Sequence, residues 1–152
     1  MPTITATLFV QAPVAEVFDA FADVEHAAGR VTGITRTEKL TPGPVGLGTS
    51  FRETRKMFGR EATETFTFSA FEPHTRYELS AVSCGAEFRT EFLFASEGAG
   101  TRVDATLSTR AVSLWAKLFT PMAYLMRGML RRCLVQDMDQ LRAWIEAGRK
   151  AA

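Results

Sequence analysis

The chain has 152 residues, 46% of them hydrophobic and 23% charged, and a formal net charge of +1. That length suits one domain, residues 1–152, with a sizeable core, and the composition is that of a globular protein rather than a disordered chain. A net charge of +1 gives no general electrostatic footprint for nucleic acid, and no basic cluster stands out against that balance; no apolar run reaches the roughly 20 residues of a membrane span, so no stable membrane insertion is expected.

Ile4, Ala6, Leu8 and Val10 alternate with Thr3, Thr5 and Thr7, a first strand so close to the start that no targeting segment is expected before it. Ala12-Pro13-Val14 opens a helix, with Pro13 in the first turn, where its missing N–H costs nothing. Val14, Val17, Phe18 and Phe21 then recur at helical spacing. A second short helical piece covers about 23–28 and stops at Gly29. Six strands follow, at 34–40, 48–57, 60–71, 76–82, 87–95 and 101–110. Pro42-Gly43-Pro44, Phe58-Gly59, Glu72-Pro73-His74, Cys84-Gly85 and Gly98-Ala99-Gly100 separate them, and connections this short imply an antiparallel meander.

The stretch from Gly48 to Phe71 writes out one hairpin. With Phe58-Gly59 as the turn, Met57 faces Arg60, Lys56 faces Glu61, Thr54 faces Thr63, Arg52 faces Thr65 and Ser50 faces Thr67. The opposite face pairs Phe51 with Phe66, Glu53 with Glu64 and Arg55 with Ala62. A purely structural core has no use for two opposed carboxylates beside phenylalanines, whereas an interior holding a ligand or water does. Later strands add Tyr77, Leu79, Ala81, Phe88, Thr90, Phe92, Phe94, Val103, Ala105 and Leu107 to the inward set.

Residues 113–146 read as one long helical pattern, which Pro121 should kink or divide. The piece after Pro121 is about 26 residues, or roughly 39 Å. Trp115, Phe119, Met122, Met126, Met129 and Cys133 lie near one line along it, and Leu130, Leu134, Met138, Leu141 and Ile145 continue the apolar stripe around the axis. A curved sheet with one apolar face needs a cover, and this helix is the one element long enough. The space between them can be a cavity, closed at one end by the two short helices.

The motifs Ala12-Pro13-Val14-Ala15-Glu16-Val17-Phe18, Val45-Gly46-Leu47-Gly48-Thr49-Ser50-Phe51, Phe71-Glu72-Pro73 with Arg76, Gly100-Thr101-Arg102-Val103, and Leu141 with Glu146 carry a family resemblance. Together with the order of elements, they resemble the START-like, or SRPBCC, superfamily, and most of all its polyketide cyclase/dehydrase and lipid-transport branch. The resemblance covers nearly the whole chain. It implies an α+β helix-grip fold: a curved seven-stranded antiparallel sheet around a long C-terminal helix, with two short helices after strand 1. It also implies binding of a small hydrophobic or aromatic molecule, of lipid, polyketide or quinone kind. The motifs are turn and packing residues, so activity has to be read from the site.

The expected ligand-binding set is Phe51, Glu53, Arg55, Glu64, Phe66, Phe68, Tyr77, Phe88, Phe92, Met122, Met126 and Met129. Glu53 and Glu64, as a cross-strand pair with Cβ atoms about 4.5–5.5 Å apart, would raise at least one pKa. That pair would suit a cyclase or dehydratase acting on a polyketide-like substrate; if the hairpin tip projects past the cavity, the charged trio instead lies solvated at its rim. Asp137 either reaches into the cavity from the helix or bonds a neighbouring arginine or a backbone N–H at the helix flank. A third reading, a protein-interaction module resembling the chaperone-activator relatives, requires a closed interior and an exposed apolar patch. His26 and His74 lack companions for a metal site, no glycine-rich phosphate loop occurs, and no cofactor is expected. Cys84 and Cys133 belong to no paired motif and read as free thiols of a cytoplasmic protein. No catalytic residue and no oligomeric state can be assigned from the sequence.

Overall fold

The computed structural model describes residues 3–57, 59–83, 85–118 and 120–151, without the side chains of Met57, Ala116, Thr120, Met122 and Ala123. Strand β1 (Thr3–Val10), helix α1 (Val14–Ala22) and a 3-10 helix (Val24–Gly29) come first. The strands β2 (Ile34–Lys39), β3 (Ser50–Met57), β4 (Arg60–Glu72), β5 (Arg76–Ser83), β6 (Ala86–Glu97) and β7 (Gly100–Ala111) follow. Helices α2 (Leu114–Leu118), α3 (Thr120–Leu125) and α4 (Arg127–Ala151) complete the described chain. The seven strands form one antiparallel sheet in the order β1-β7-β6-β5-β4-β3-β2. Each strand from β2 to β6 pairs with the next in sequence, as short turns require, and β1 closes the far edge against β7. This is the helix-grip architecture, with α4 lying against β1 and α1.

The β3–β4 hairpin holds the register written in its alternation. Phe51 faces Phe66, Glu53 faces Glu64, Arg55 faces Ala62 and Met57 faces Arg60. Gly59 takes φ 75°, the left-handed conformation that a two-residue turn demands and that costs glycine nothing; Phe58, its partner in the expected turn, lies outside the described residues, as does Cys84. Further along β4 the pattern Phe66-Thr67-Phe68-Ser69-Ala70-Phe71 breaks the period of two. The sheet answers with a bulge: Phe68 pairs with Leu79 and Ala70 with Glu78, so Ser69 is left over. One extra residue reverses the facing of everything beyond it. Phe68 and Phe71 therefore both meet the core, their ring centroids 5.6 Å apart.

That core is mainly aromatic. Phe18 of α1 packs edge-on against Phe71, Tyr77 and Phe94 at 5.4, 5.8 and 5.1 Å, the arrangement that ring quadrupoles favour. Phe68 is wholly buried and Phe51 nearly so. Gly100 opens β7 where the chain passes directly beneath β1: a Cβ there would stand 2.5 Å from both the Phe9 ring and the Val10 carbonyl oxygen. Next to it, the buried Thr101 donates its hydroxyl to the Ala12 carbonyl at 2.8 Å.

The C-terminal region differs from the expected single pattern broken at Pro121. Pro121 lies in the first turn of α3, where no N–H is needed, and a first short helix, α2, ends just ahead of it at Leu118, as a proline at this point favours; a second break, at Met126, was not expected. The long helix begins at Arg127, where the Leu130 N–H reaches the Met126 carbonyl at 3.0 Å and Arg127 donates to the Thr3 carbonyl of β1 at 3.1 Å. Its 25 residues span roughly 37 Å. Met138 and Ile145 are buried, and Leu134, Val135 and Leu141 pack on the core. Trp115 and Met126 do not share that face: they are 75% and 38% exposed. Phe119 lies outside the described residues. At its far end α4 is tied to the start of the chain, because Glu146 accepts from the Gln11 N–H at 2.9 Å and Arg149 reaches Glu16 at 2.5 Å.

Candidate functional site

Between α4 and the concave face of the sheet lies a cavity of about 180 Å³. Its walls come from every layer of the fold. Helix α1 and the 3-10 helix supply Phe21 and Val24; β3 supplies Phe51, Glu53 and Arg55; β4 supplies Phe66. Tyr77 and Leu79 of β5, Thr90 and Phe92 of β6, and Leu134, Asp137, Met138 and Leu141 of α4 complete most of the lining. Strand alternation explains the contribution of β3, since Phe51, Glu53 and Arg55 occupy every second position and share one face.

The polar end of this hollow is a three-residue ion cluster. Arg55 donates through both terminal nitrogens to Asp137, Nη1 to Oδ1 at 3.2 Å and Nη2 to Oδ2 at 2.7 Å. Its Nε donates to Glu53 Oε2 at 3.3 Å. A planar guanidinium matched to a carboxylate in this two-pronged way fixes orientation as well as charge. All three side chains are a quarter exposed or less. Burial raises the Glu53 pKa, and the Arg55 charge opposes that rise while Asp137 adds to it. Burial pulls on Arg55 in the other direction, and its bonds and charge attraction to the two carboxylates outweigh it, so Arg55 stays charged. Tyr77, deep in the core, donates its hydroxyl to the Phe21 carbonyl at 3.1 Å; burial, then the nearby Glu53 charge, push its pKa up, so the phenol stays neutral.

A second hollow of about 280 Å³ lies on the outer side of the same cluster, lined by Thr32, Gly33, Arg55, Lys56, Cys133, Gln136 and Asp137. Arg55 and Asp137 thus form the partition between an interior space and an outer one. Nearby, Gln140 of α4 exchanges two hydrogen bonds with Thr32, at 2.9 and 2.8 Å, and pins the helix to the loop before β2. A larger open cleft between α1 and the end of α4 has charged walls, with the Arg30 guanidinium 3.7 Å above the Trp144 ring.

Six of the residues expected at the site converge on the interior space: Phe51, Glu53, Arg55, Phe66, Tyr77 and Phe92. Glu64 stands opposite Glu53 in the sheet but is not part of the lining; it accepts a hydrogen bond from the Ser83 hydroxyl at 2.7 Å. The two carboxylates therefore turn to different partners, and Glu53 meets Asp137 across Arg55 instead. Phe68 is part of the packed core beneath the lining. Phe88 and Met129 are half-buried away from it, and Met126 is exposed. The Met122 side chain lies outside what the structure describes. Sequence reasoning left out the walls supplied by Phe21, Val24, Val31, Ile34, Leu134 and Leu141. Their only signal was apolar periodicity, which does not separate a cavity wall from solid packing. Among the described residues no group of three or more His, Cys, Asp or Glu side chains converges as a metal site would need. No helix among them is long and apolar enough to cross a membrane.

Comparison with protein families finds a match over residues 1–146 to the family described as polyketide cyclase / dehydrase and lipid transport. Among solved structures, the di-domain aromatase/cyclase StfQ of the steffimycin biosynthetic pathway superposes with a TM-score of 0.80 at 14% identity, over 99% of this chain and 52% of that one. The Zhui aromatase/cyclase from Streptomyces sp. R1128 gives 0.74 at 17% identity, covering 95% of this chain and 93% of its own. Ara h 8.0201 gives 0.68 at 14% identity, covering 96% and 98%. At these identities the likeness is one of fold. The comparison with curated protein sequences found no relative.

Proposed function

This chain belongs to the polyketide cyclase / dehydrase and lipid transport family, and from that membership we propose that it binds a small apolar or aromatic molecule between its sheet and α4, oriented by Arg55, Glu53 and Asp137. The family supports a ligand-binding or cyclase role, and the site narrows the chemistry. The observation that carries the reading is the two-pronged Arg55–Asp137 pair, braced by Glu53, at the edge of a hollow walled, apart from Asp23 and Thr90, by rings and aliphatic chains. Pockets that bind small molecules have this make-up: apolar walls with a few fixed polar groups.

The cluster also argues for the charge of the ligand. Arg55 already faces two carboxylates, so a carboxylate ligand would meet like charge. A phenol or a ketone fits better. Ionised Glu53 accepts from a hydroxyl, and protonated Glu53 donates to a carbonyl. A space of about 180 Å³ suits a single ring; an apolar cavity of about 150 Å³ is enough for benzene. Phenol and acetophenone should therefore bind, seen by saturation-transfer NMR and by a raised melting temperature, while benzoate binds at least tenfold more weakly. Native mass spectrometry of freshly purified protein should show an apolar adduct. No adduct, together with no response to either neutral ring, would overturn the reading.

A cyclase or dehydratase is the second reading, favoured by one fact: burial keeps the Glu53 carboxyl protonated to higher pH than usual, as a group that hands a proton to a departing hydroxyl needs to be. It predicts that Glu53→Gln abolishes turnover of a polyketide-like substrate and leaves its binding intact.

A further inference from the structure

Between β7 and the first turns of α4 the chain presents a surface that nothing in the fold uses. Leu114, Trp115 and Leu118 of α2 are 79%, 75% and 71% exposed, Leu125 of α3 is 85% exposed, and Tyr124 beside it 51%. Large apolar side chains normally find cover, and a cluster this exposed marks an interaction surface. Its charge is one-sided. From Ala105 to Gln136 the sequence contains Arg110, Lys117, Arg127, Arg131 and Arg132 and not one aspartate or glutamate. Arg110 is engaged by Glu87 on the sheet. Among the described residues no carboxylate pairs with Arg127, Arg131 or Arg132, and all three are exposed.

We propose that α2, α3 and the start of α4 form a docking surface for an anionic lipid bilayer. Leucines exposed by more than two thirds on two short helices of 5 and 6 residues protrude rather than form a groove. A fluid hydrocarbon layer takes up such protrusions without a matching pocket, which a protein partner would have to supply. Trp115 and Tyr124 are the residue types that settle at the boundary between headgroups and chains. The arginines at the start of α4 then lie at headgroup level, where each favours an anionic surface about fivefold. A second copy of this chain is the weaker candidate, since a symmetric contact would bring the same cations face to face. The surface shares no lining residue with the cavity, so the inference stands apart from the identity of any ligand held there.

The test is flotation with vesicles of phosphatidylcholine, with and without phosphatidylserine. Trp144→Phe makes Trp115 the sole tryptophan and reports its environment. The expected result is flotation with the anionic vesicles alone, a blue shift of Trp115 emission and protection from acrylamide. Leu118→Glu with Leu125→Glu should abolish binding, Arg131→Gln and Arg132→Gln should each weaken it about fivefold, and Val82→Glu, also exposed but on β5, should leave it unchanged. Circular dichroism checks that each variant folds. Failure of the folded wild type to float, binding that survives the two glutamates, or a stable dimer dispersed by Leu118→Glu without vesicle binding would each overturn the proposal.

Discussion

Glu53 carries most of the residue-scale chemistry. Its folded pKa is raised above 4.5 by burial, so the native chain holds this proton more tightly than the unfolded chain does. The stability that this group contributes is fully present below 4.5 and is lost as pH rises through the shifted value. Above the shifted value its ionised form opposes folding, partly relieved by Arg55. Glu53→Gln keeps the shape and removes the titration. Urea unfolding across a pH series should show the variant gaining on the wild type as pH climbs from 4.5, and parallel curves would mean that the carboxyl titrates as if unfolded. The facing of this residue could be read from the chain, because Arg52, Thr54 and Lys56 alternate with Phe51, Glu53 and Arg55. Its partner could not. Asp137 is 82 positions away, and only the seating of α4 over β3 brings the two elements together.

At the level of elements, turns and alternation were readable and breaks in alternation were not. The order of β2 to β7 followed from short connections, while the pairing of β1 with β7 did not, and the β3–β4 register followed from one face being polar throughout. The bulge at Ser69 and the split of the C-terminal pattern at Met126 depend on what the neighbouring strand and helix offer. Gly100 is the position where two elements meet most tightly. Gly100→Ala should drive a methyl group against the Phe9 ring and the Val10 carbonyl. The ring can turn and the backbone cannot, so the expected cost is about 1–3 kcal/mol. In a chain of this size that is a melting-temperature drop of roughly 2–12 °C, and an unchanged melting temperature would show that β1 has room to move.

For the whole molecule the decisive quantity is space. The interior hollow and the outer one, about 180 and 280 Å³, are parted by Arg55 and Asp137. Asp137→Ala should join them. Arg55 keeps Glu53, so the loss of stability should be about 1–3 kcal/mol rather than the larger penalty of a stranded buried charge. The enlarged space should then accept two-ring compounds: calorimetry should find 2-naphthol binding more tightly to the variant than to the wild type, while phenol, held by one orienting group fewer, binds more weakly. Equal affinities would mean that the partition lies elsewhere.

The amino-acid sequence alone determined the meander, the hairpin register and the inward facing of Glu53 and Arg55, because turn residues and the period of two act between neighbours in the chain; the helix-grip fold was what the family resemblance implied. Tertiary structure alone decided that Glu64 turns to Ser83 while Glu53 shares Arg55 with Asp137, that Phe68 is packed while Phe66 lines a space, and how large that space is. These outcomes depend on how a 25-residue helix settles across a twisted sheet. Contacts between distant segments are set by the summed packing of all layers, and no local pattern encodes that sum.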